Sequence, residues 1–219
     1  MKFDASQMPQ MLIISGPSGS GKSTLIRMMR EDKDFQHCSF AVSVTCRTPR
    51  PGEQQAEAYK FVTPDEFHAR KTRGDFAESN DVYGTTWAEL ERLRQMNYPV
   101  AVFDLDLIGG VQLKKFFPGA VILFVLPPTY YTLENRLKAR GTEGDQEVER
   151  RLQIGKAMVE EAWTDLNAVD YFIVAESRAE MLWQAKQVVN ALSFTRSSSY
   201  IQNTVERYLR EYKTAHEHS

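Results

Sequence analysis

Residues 16–23 read Gly-Pro-Ser-Gly-Ser-Gly-Lys-Ser, a full G-x-x-x-x-G-K-[ST] pattern. That pattern is phosphate chemistry. Gly16, Gly19 and Gly21 let backbone amides turn inward around an anion, where side chains would block them. Lys22 supplies a point charge for the outer phosphates, and the Ser23 hydroxyl is an oxygen ligand for Mg²⁺. Ser18, Ser20 and Thr24 complete the candidate triphosphate-binding set. The alternative is a chance glycine-rich turn. A chance turn has no reason to sit between an apolar run ending at Ile14 and a helical stretch from Thr24 to Arg30. A helix starting there aims its free amides and the positive end of its dipole at the same anion. Such a loop is shared by GTPases, motor ATPases, transporters and small-molecule kinases, so a second group of residues must name the acceptor.

The next residues with chemical potential are Arg47 and Arg50, three apart in the segment Thr45-Cys46-Arg47-Thr48-Pro49-Arg50-Pro51-Gly52-Glu53. Two guanidinium forks on an extended, proline-bounded segment match one phosphate dianion. Tyr59 follows with a phenol that can also donate. On spacing alone, a solvated basic loop explains the two arginines as well. Asp104 and Asp106 lie two apart at the end of an apolar run. At that spacing both carboxylates can project from one strand face toward a ligand crevice. Ordinary loop capping is the other explanation. His37, His68, His216 and His218 lie outside every such group and read as incidental.

These residues need a scaffold. Met11–Ile14, Val100–Phe103, Val121–Leu126 and Tyr171–Val174 are short apolar runs rich in branched or aromatic residues. Continuous runs of this kind suit strands covered on both faces. Their alternation with helical stretches predicts an α/β fold with a parallel sheet. Ser39–Thr86 is rich in Thr, Arg, Gly and Tyr and contains short alternating stretches, which predicts a small β-rich insertion. Lys138–Gln153 is charged, contains Gly141 and Gly144, and interrupts helical pattern on both sides, as a mobile lid would. Ser197-Ser198-Ser199 reads as a linker, and Ile201, Val205, Tyr208, Leu209 and Tyr212 have helical spacing.

The phosphate loop followed by Ser43 to Val62 resembles the guanylate kinase family. The family's acceptor signature runs Thr, a hydroxyl residue, Arg, a second basic residue, an acid, a glycine and a tyrosine. Here those positions hold Thr45, Cys46, Arg47, Arg50, Glu53, Ala56 and Tyr59, with Phe61 beyond. Gly74–Glu78, Tyr83-Gly84-Thr85, Phe103–Asp106 with Gly109–Val111, Phe124–Pro128, Arg136–Glu143 and Arg151-Leu152 resemble the family's later segments. The likeness spans about residues 10–190. Four features depart from it: Cys46 for the hydroxyl residue, Ala56 for the glycine, a Glu78-to-Tyr83 connection about four residues short, and Ala175 where an asparagine contacts the donor.

The resemblance implies a three-layer P-loop α/β core with a parallel sheet, an acceptor-binding insertion and a helical lid. It places residues 1–38 and 87–192 in the core, 39–86 in the insertion and about 138–153 in the lid; beyond the likeness, polar composition and helical spacing put 193–219 in a polar linker and C-terminal helix. It implies transfer of the γ-phosphate of ATP to GMP or dGMP, with Mg²⁺. Ser43, Arg47, Arg50, Tyr59 and Tyr83 would hold the acceptor phosphate. Glu78, Thr85 and Asp106 would face the guanine, and Asp104 would order the metal's waters beside Ser23. Arg136, Arg140 and Arg151 would close on the triphosphate. Lys22, Arg47, Arg140 and Arg151 would carry the catalysis. The rivals are a kinase for another nucleoside monophosphate or a phosphorylated sugar, and a related protein-binding module without catalysis. The intact residues 16–23 argue against the module.

Composition sets the surroundings. The 219 residues carry 29 acidic and 27 basic side chains, a formal charge of -2. That balance gives no global attraction to nucleic acid or to an anionic membrane. Cys38 and Cys46 form no disulfide framework or metal-ligand spacing. Met1–Gln10 lacks the pattern of a signal peptide, and no apolar run reaches the roughly 18 residues that span a bilayer. The expectation is a cytoplasmic protein whose partners are small nucleotides.

Overall fold

A computed structural model describes residues 8–49, 58–139, 144–165, 168–191 and 199–216. The described residues fall into two compact units. One carries the chain through Ile13 and from Gln36 to Val121; the other carries Ile14 to Phe35 and the chain from Ile122 onward.

In the first unit β1 (Gln10–Ser15) begins next to β7 (Val100–Asp104), and β2 (Cys38–Phe40) lies on the other side of β7. β2 and β7 are parallel, with Cys38 opposite Val100 and Phe40 opposite Val102. Met11, Leu12, Ile13, Ala101, Val102 and Phe103 are all buried, as unbroken apolar strands require.

A second sheet in the same unit has the order β4-β3-β6-β5, from β3 (Ser43–Thr45), β4 (Tyr59–Phe61), β5 (Phe76–Ser79) and β6 (Tyr83–Thr86). β3 runs parallel to β4 and antiparallel to β6, which is antiparallel to β5. Three helices complete the unit: α2 (Pro64–Arg73), α3 (Trp87–Met96) and α4 (Leu107–Phe116). Thr63, Thr86 and Asp106 cap their N-termini by accepting from the amides of Glu66, Glu89 and Gly109, each satisfying an otherwise orphaned donor. α2 stops at Gly74, whose φ of 75° is the left-handed C-terminal cap.

The second unit is built on β8 (Val121–Leu126) and β9 (Tyr171–Val174), parallel with Leu123 opposite Tyr171 and Leu126 opposite Val174. Five helices surround them: α1 (Lys22–Glu31), α5 (Tyr130–Lys138), α6 (Asp145–Thr164), α7 (Arg178–Ala191) and α8 (Ser199–His216). α1 packs on α7, where Lys186 pairs with Asp34. α8 packs on α5 and α6 and buries Val205, Tyr208 and Tyr212. Tyr212 meets the Tyr130 ring edge-on at 5.3 Å. Glu211 caps the start of α5 by accepting from the Tyr130 amide at 3.1 Å.

All four expected strands are present, the parallel pairings give the expected α/β class, and the insertion contains its β-sheet. Three details differ. Cys38–Phe40 pairs with β7, so Ser39 and Phe40 belong to the larger sheet rather than to the insertion's own. The insertion also contains α2, which the sequence hides because Phe67 is its one buried residue among charged neighbours. Among the described residues, the second half of the expected lid, Asp145–Gln153, is the start of α6, a single 20-residue helix. Arg140 lies outside the described residues.

Candidate active site

The phosphate loop leaves β1 and enters α1 inside the second unit. Gly16, Gly19 and Gly21 have φ values of 137°, 91° and 114°, a region that L side chains avoid. A Cβ on Gly16 would stand 2.3 Å from the Val125 carbonyl oxygen, so this position tolerates only glycine. Lys22 curls over the loop and donates to the carbonyls of Gly16 at 2.6 Å and Pro17 at 3.1 Å. α1 has no side-chain cap and no acid in its first turn. Its leading amides and dipole therefore face the loop uncompensated. Ser20 is buried, and its hydroxyl has no hydrogen-bond partner among the described residues.

Two of the expected arginines reach this loop. Arg136 on α5 donates to the Ser20 carbonyl at 3.0 Å. Arg151 on α6 donates to the Ser18 hydroxyl at 3.0 Å and to Glu147 at 2.9 Å. The Arg150 and Arg151 guanidinium groups hold the Glu147 carboxyl down at about 2. Burial, and then the Arg178 charge, pull Arg136 below its ordinary range, yet an arginine stays protonated. A cavity of about 340 Å³ opens here, lined among others by Gly19, Gly21, Thr24, Arg136, Ala175 and Arg178. Ser23 is exposed at the first turn of α1. Arg178 was not expected. The signal for it was available, since ligands in α/β sheets gather beyond strand C-termini and Arg178 follows the end of β9.

The expected acceptor residues gather in the first unit. Ser43 lies opposite Tyr59, and Thr45 opposite Tyr83. Arg47, just past β3, donates from Nε to the Tyr83 hydroxyl at 2.8 Å. Its guanidinium sits 5.0 Å from the Tyr59 ring centre and 5.4 Å from that of Phe61. This aromatic bed fixes a cation and leaves its remaining N–H groups directional. The Tyr59 hydroxyl donates to Asp104 at 3.1 Å. Burial, then the Asp104 charge, drive this phenol far above its usual range, so it stays a neutral donor. Arg50 and Glu53 lie outside the described residues.

Asp104 and Asp106 do not share a strand face. β7 ends at Asp104, so the two-residue alternation stops there, and Asp106 becomes the N-cap of α4. Capping, the plainer reading of this acid, is part of its role. Its Oδ1 accepts from the Gly109 amide at 2.7 Å and its Oδ2 from Asn80 at 2.6 Å.

Glu78 is 5% exposed and lies opposite Thr85, whose amide donates to its Oε1 at 2.8 Å. The Thr85 hydroxyl is buried without a partner among the described residues. Burial raises the Glu78 carboxyl from 4.5 to about 7, the Thr85 hydrogen bond offsets part of that rise, and the Asp106 charge adds to it. A Cβ on Gly109 would lie 2.7 Å from Glu78 Oε2 and 3.1 Å from Asp106 Oδ1. The bare Gly109 therefore keeps both acids accessible. Gly109→Ala is expected to lower kcat/KM for a base-reading acceptor on the order of tenfold, as sub-ångström misplacement does. KM for the triphosphate should not move. Steady-state kinetics on the variant check this.

The guanylate kinase family model matches residues 8–192. A guanylate kinase of Geobacter metallireducens is 34% identical over 201 residues, covering 90% of this chain and 95% of that one. A guanylate kinase of Sus scrofa is 35% identical over 189 residues, covering 83% and 92%. The crystal structure of guanylate kinase from Anaplasma phagocytophilum superposes with a TM-score of 0.66 over 95% of both chains at 22% identity, which is a likeness of fold. With a family model spanning most of its length and relatives above 30% identity over nearly their whole chains, this protein belongs to the guanylate kinase family.

Proposed function

We propose that the protein transfers the γ-phosphate of ATP to GMP or dGMP, giving ADP and GDP or dGDP. Membership in the family supports the reaction. The observation that carries the acceptor choice is the buried Glu78, with one oxygen tied to Thr85 and the other against Gly109. A carboxylate there pairs with the N1–H and 2-amino group of guanine, a donor pair that adenine lacks. We assign Ser43, Arg47, Arg50, Tyr59 and Tyr83 to the acceptor phosphate and Glu78, Thr85 and Asp106 to the base. The same reading keeps the 39–86 stretch, less the β2 residues Ser39 and Phe40, as the acceptor-binding insertion and the stretch about 138–153 as the lid.

Phosphoryl transfer asks the protein for position and charge rather than covalent work. In this reading the loop amides and Lys22 hold the donor phosphates, and Arg136, Arg140 and Arg151 take up the charge of the migrating group. Arg47, steadied by Tyr59, Phe61 and Tyr83, holds the acceptor in line. No general base is assigned, because the acceptor is already an anion.

Among the described residues no group of three or more His, Cys, Asp or Glu could hold a metal. That suits Mg²⁺, which keeps its waters and binds through substrate phosphates and one or two protein oxygens. Ser23 and Asp104 are the proposed protein oxygens, and the ion would offset charge on the β- and γ-phosphates. No described helix is long and apolar enough to cross a membrane; a cytoplasmic location and nucleotide partners complete the proposal. Incubation with ATP, Mg²⁺ and GMP should yield ADP and GDP in equal amounts on anion-exchange chromatography. ADP without GDP would refute the acceptor.

The raised Glu78 carboxyl makes a pH prediction. Guanine's donors require the ionised form, so binding below about pH 7 must release a proton. KM for GMP should fall from pH 6 to pH 8 while KM for ATP changes little. The acceptor phosphate also titrates, near pH 6. Glu78→Gln retains that phosphate titration and should lose only the step near 7.

A further inference from the structure

Only Asn80, Asp81 and Val82 separate β5 from β6, and Asn80 uses all its polar groups. Its amide N–H donates to the Tyr83 carbonyl at 3.0 Å. Its carbonyl accepts from Lys71 at 3.0 Å. Its Oδ1 accepts from the amides of Val82 and Tyr83, both at 2.8 Å. Those two donors fix which way the side-chain amide points, and they turn Nδ2 toward Asp106 Oδ2 at 2.6 Å. The other Asp106 oxygen is fixed by the Gly109 amide at 2.7 Å. Two donors from different elements thus set the plane of one half-buried carboxylate, and each oxygen keeps a lone pair for a ligand. Asp106 stands beside Glu78 across Gly109, since a Cβ on that glycine would meet both.

We propose that Asn80 is a positioning residue for base recognition, holding the Asp106 carboxylate in its ligand-accepting orientation while it closes the short β5–β6 turn. The inference rests on the reading of Glu78 and Asp106 as the guanine-facing acids. Asn80 acts on the base side through Asp106, so its effect belongs in acceptor KM and not in the rate at saturation.

The two roles of Asn80 are separable. Asn80→Asp keeps an oxygen for the Val82 and Tyr83 amides but replaces the donor facing Asp106 with an acceptor. Asn80→Ala removes both functions. Steady-state kinetics with ATP and GMP, together with a thermal melt, would be run on the unsubstituted protein and both variants. Asn80→Asp is expected to raise KM for GMP at least about tenfold, the scale of a lost hydrogen bond to a charged group, with kcat and KM for ATP held. Asn80→Ala should show the same KM change with a lower Tm. An unchanged KM for GMP in Asn80→Asp, with a raised one in Asn80→Ala, would make Asn80 a turn cap only and overturn the inference. So would parallel losses in kcat, both KM values and Tm. GMP turnover by the unsubstituted protein separates these failures from failure of the parent reading. If that protein leaves GMP unphosphorylated, the reading and the inference fall together.

Discussion

Lys22→Met should fold normally and lose on the order of a hundredfold or more in kcat, the cost of removing one preorganised charge from a phosphoryl-transfer site. The ammonium lies across the loop, bonded to the Gly16 and Pro17 carbonyls, with the uncapped start of α1 immediately behind it. Methionine matches the four-atom stem and leaves it packed, so the lost quantity is the ammonium charge and its hydrogen bonds. Two carbonyls lose a donor as well, and a thermal melt separates that structural cost from the kinetic one. The role proposed for Lys22, on charge that develops during transfer, makes kcat fall with KM for GMP little altered. A kcat near that of the unsubstituted protein would remove the loop from the chemistry.

Glu78→Gln should lower kcat/KM for GMP by about a hundredfold, because a site built to receive a donor pair then presents one of its own. The Thr85 amide keeps its acceptor in the variant, so the sheet pairing is undisturbed. Stability should move the other way. The Glu78 carboxyl titrates near 4.5 when unfolded and near 7 when folded. Between those values the folded chain holds a proton that the unfolded chain has released, and the group's contribution to stability falls as pH rises through about 7. At pH 8 the native protein carries a buried, poorly solvated carboxylate that the variant lacks. Its Tm should therefore be no lower than that of the unsubstituted protein, alongside the large kinetic loss. A Tm lowered in step with activity would mark Glu78 as a structural group instead.

Much of this arrangement was legible in the sequence because its signals are local. The phosphate loop is set by glycine spacing, and the structure adds only why Gly16 cannot change, through the Val125 carbonyl. The strands were legible as apolar runs, since burial on both faces needs nothing but composition. Arg47 was legible as one of two guanidinium groups three residues apart, but its bed on Tyr59, Phe61 and Tyr83 depends on pairings between distant segments. Asp106 was misplaced because period-two reasoning assumes the strand continues, and β7 ends two residues earlier. Asn80 carried no signal at all. An asparagine in a short turn reads as a turn former, and its second partner lies 26 residues away. α2 was hidden for a different reason: one buried phenylalanine among ten residues leaves no helical stripe to detect.

In the proposed reaction this P-loop enzyme reads guanine on its acceptor. The most direct measurement is coupled ADP release with ATP and Mg²⁺ against GMP, dGMP, AMP and CMP, reporting kcat/KM for each. GMP and dGMP should exceed AMP and CMP by at least about a hundredfold, the scale of a mispaired donor set in a polar site. Equal turnover of AMP and GMP, or turnover of another acceptor with none of GMP, would contradict it.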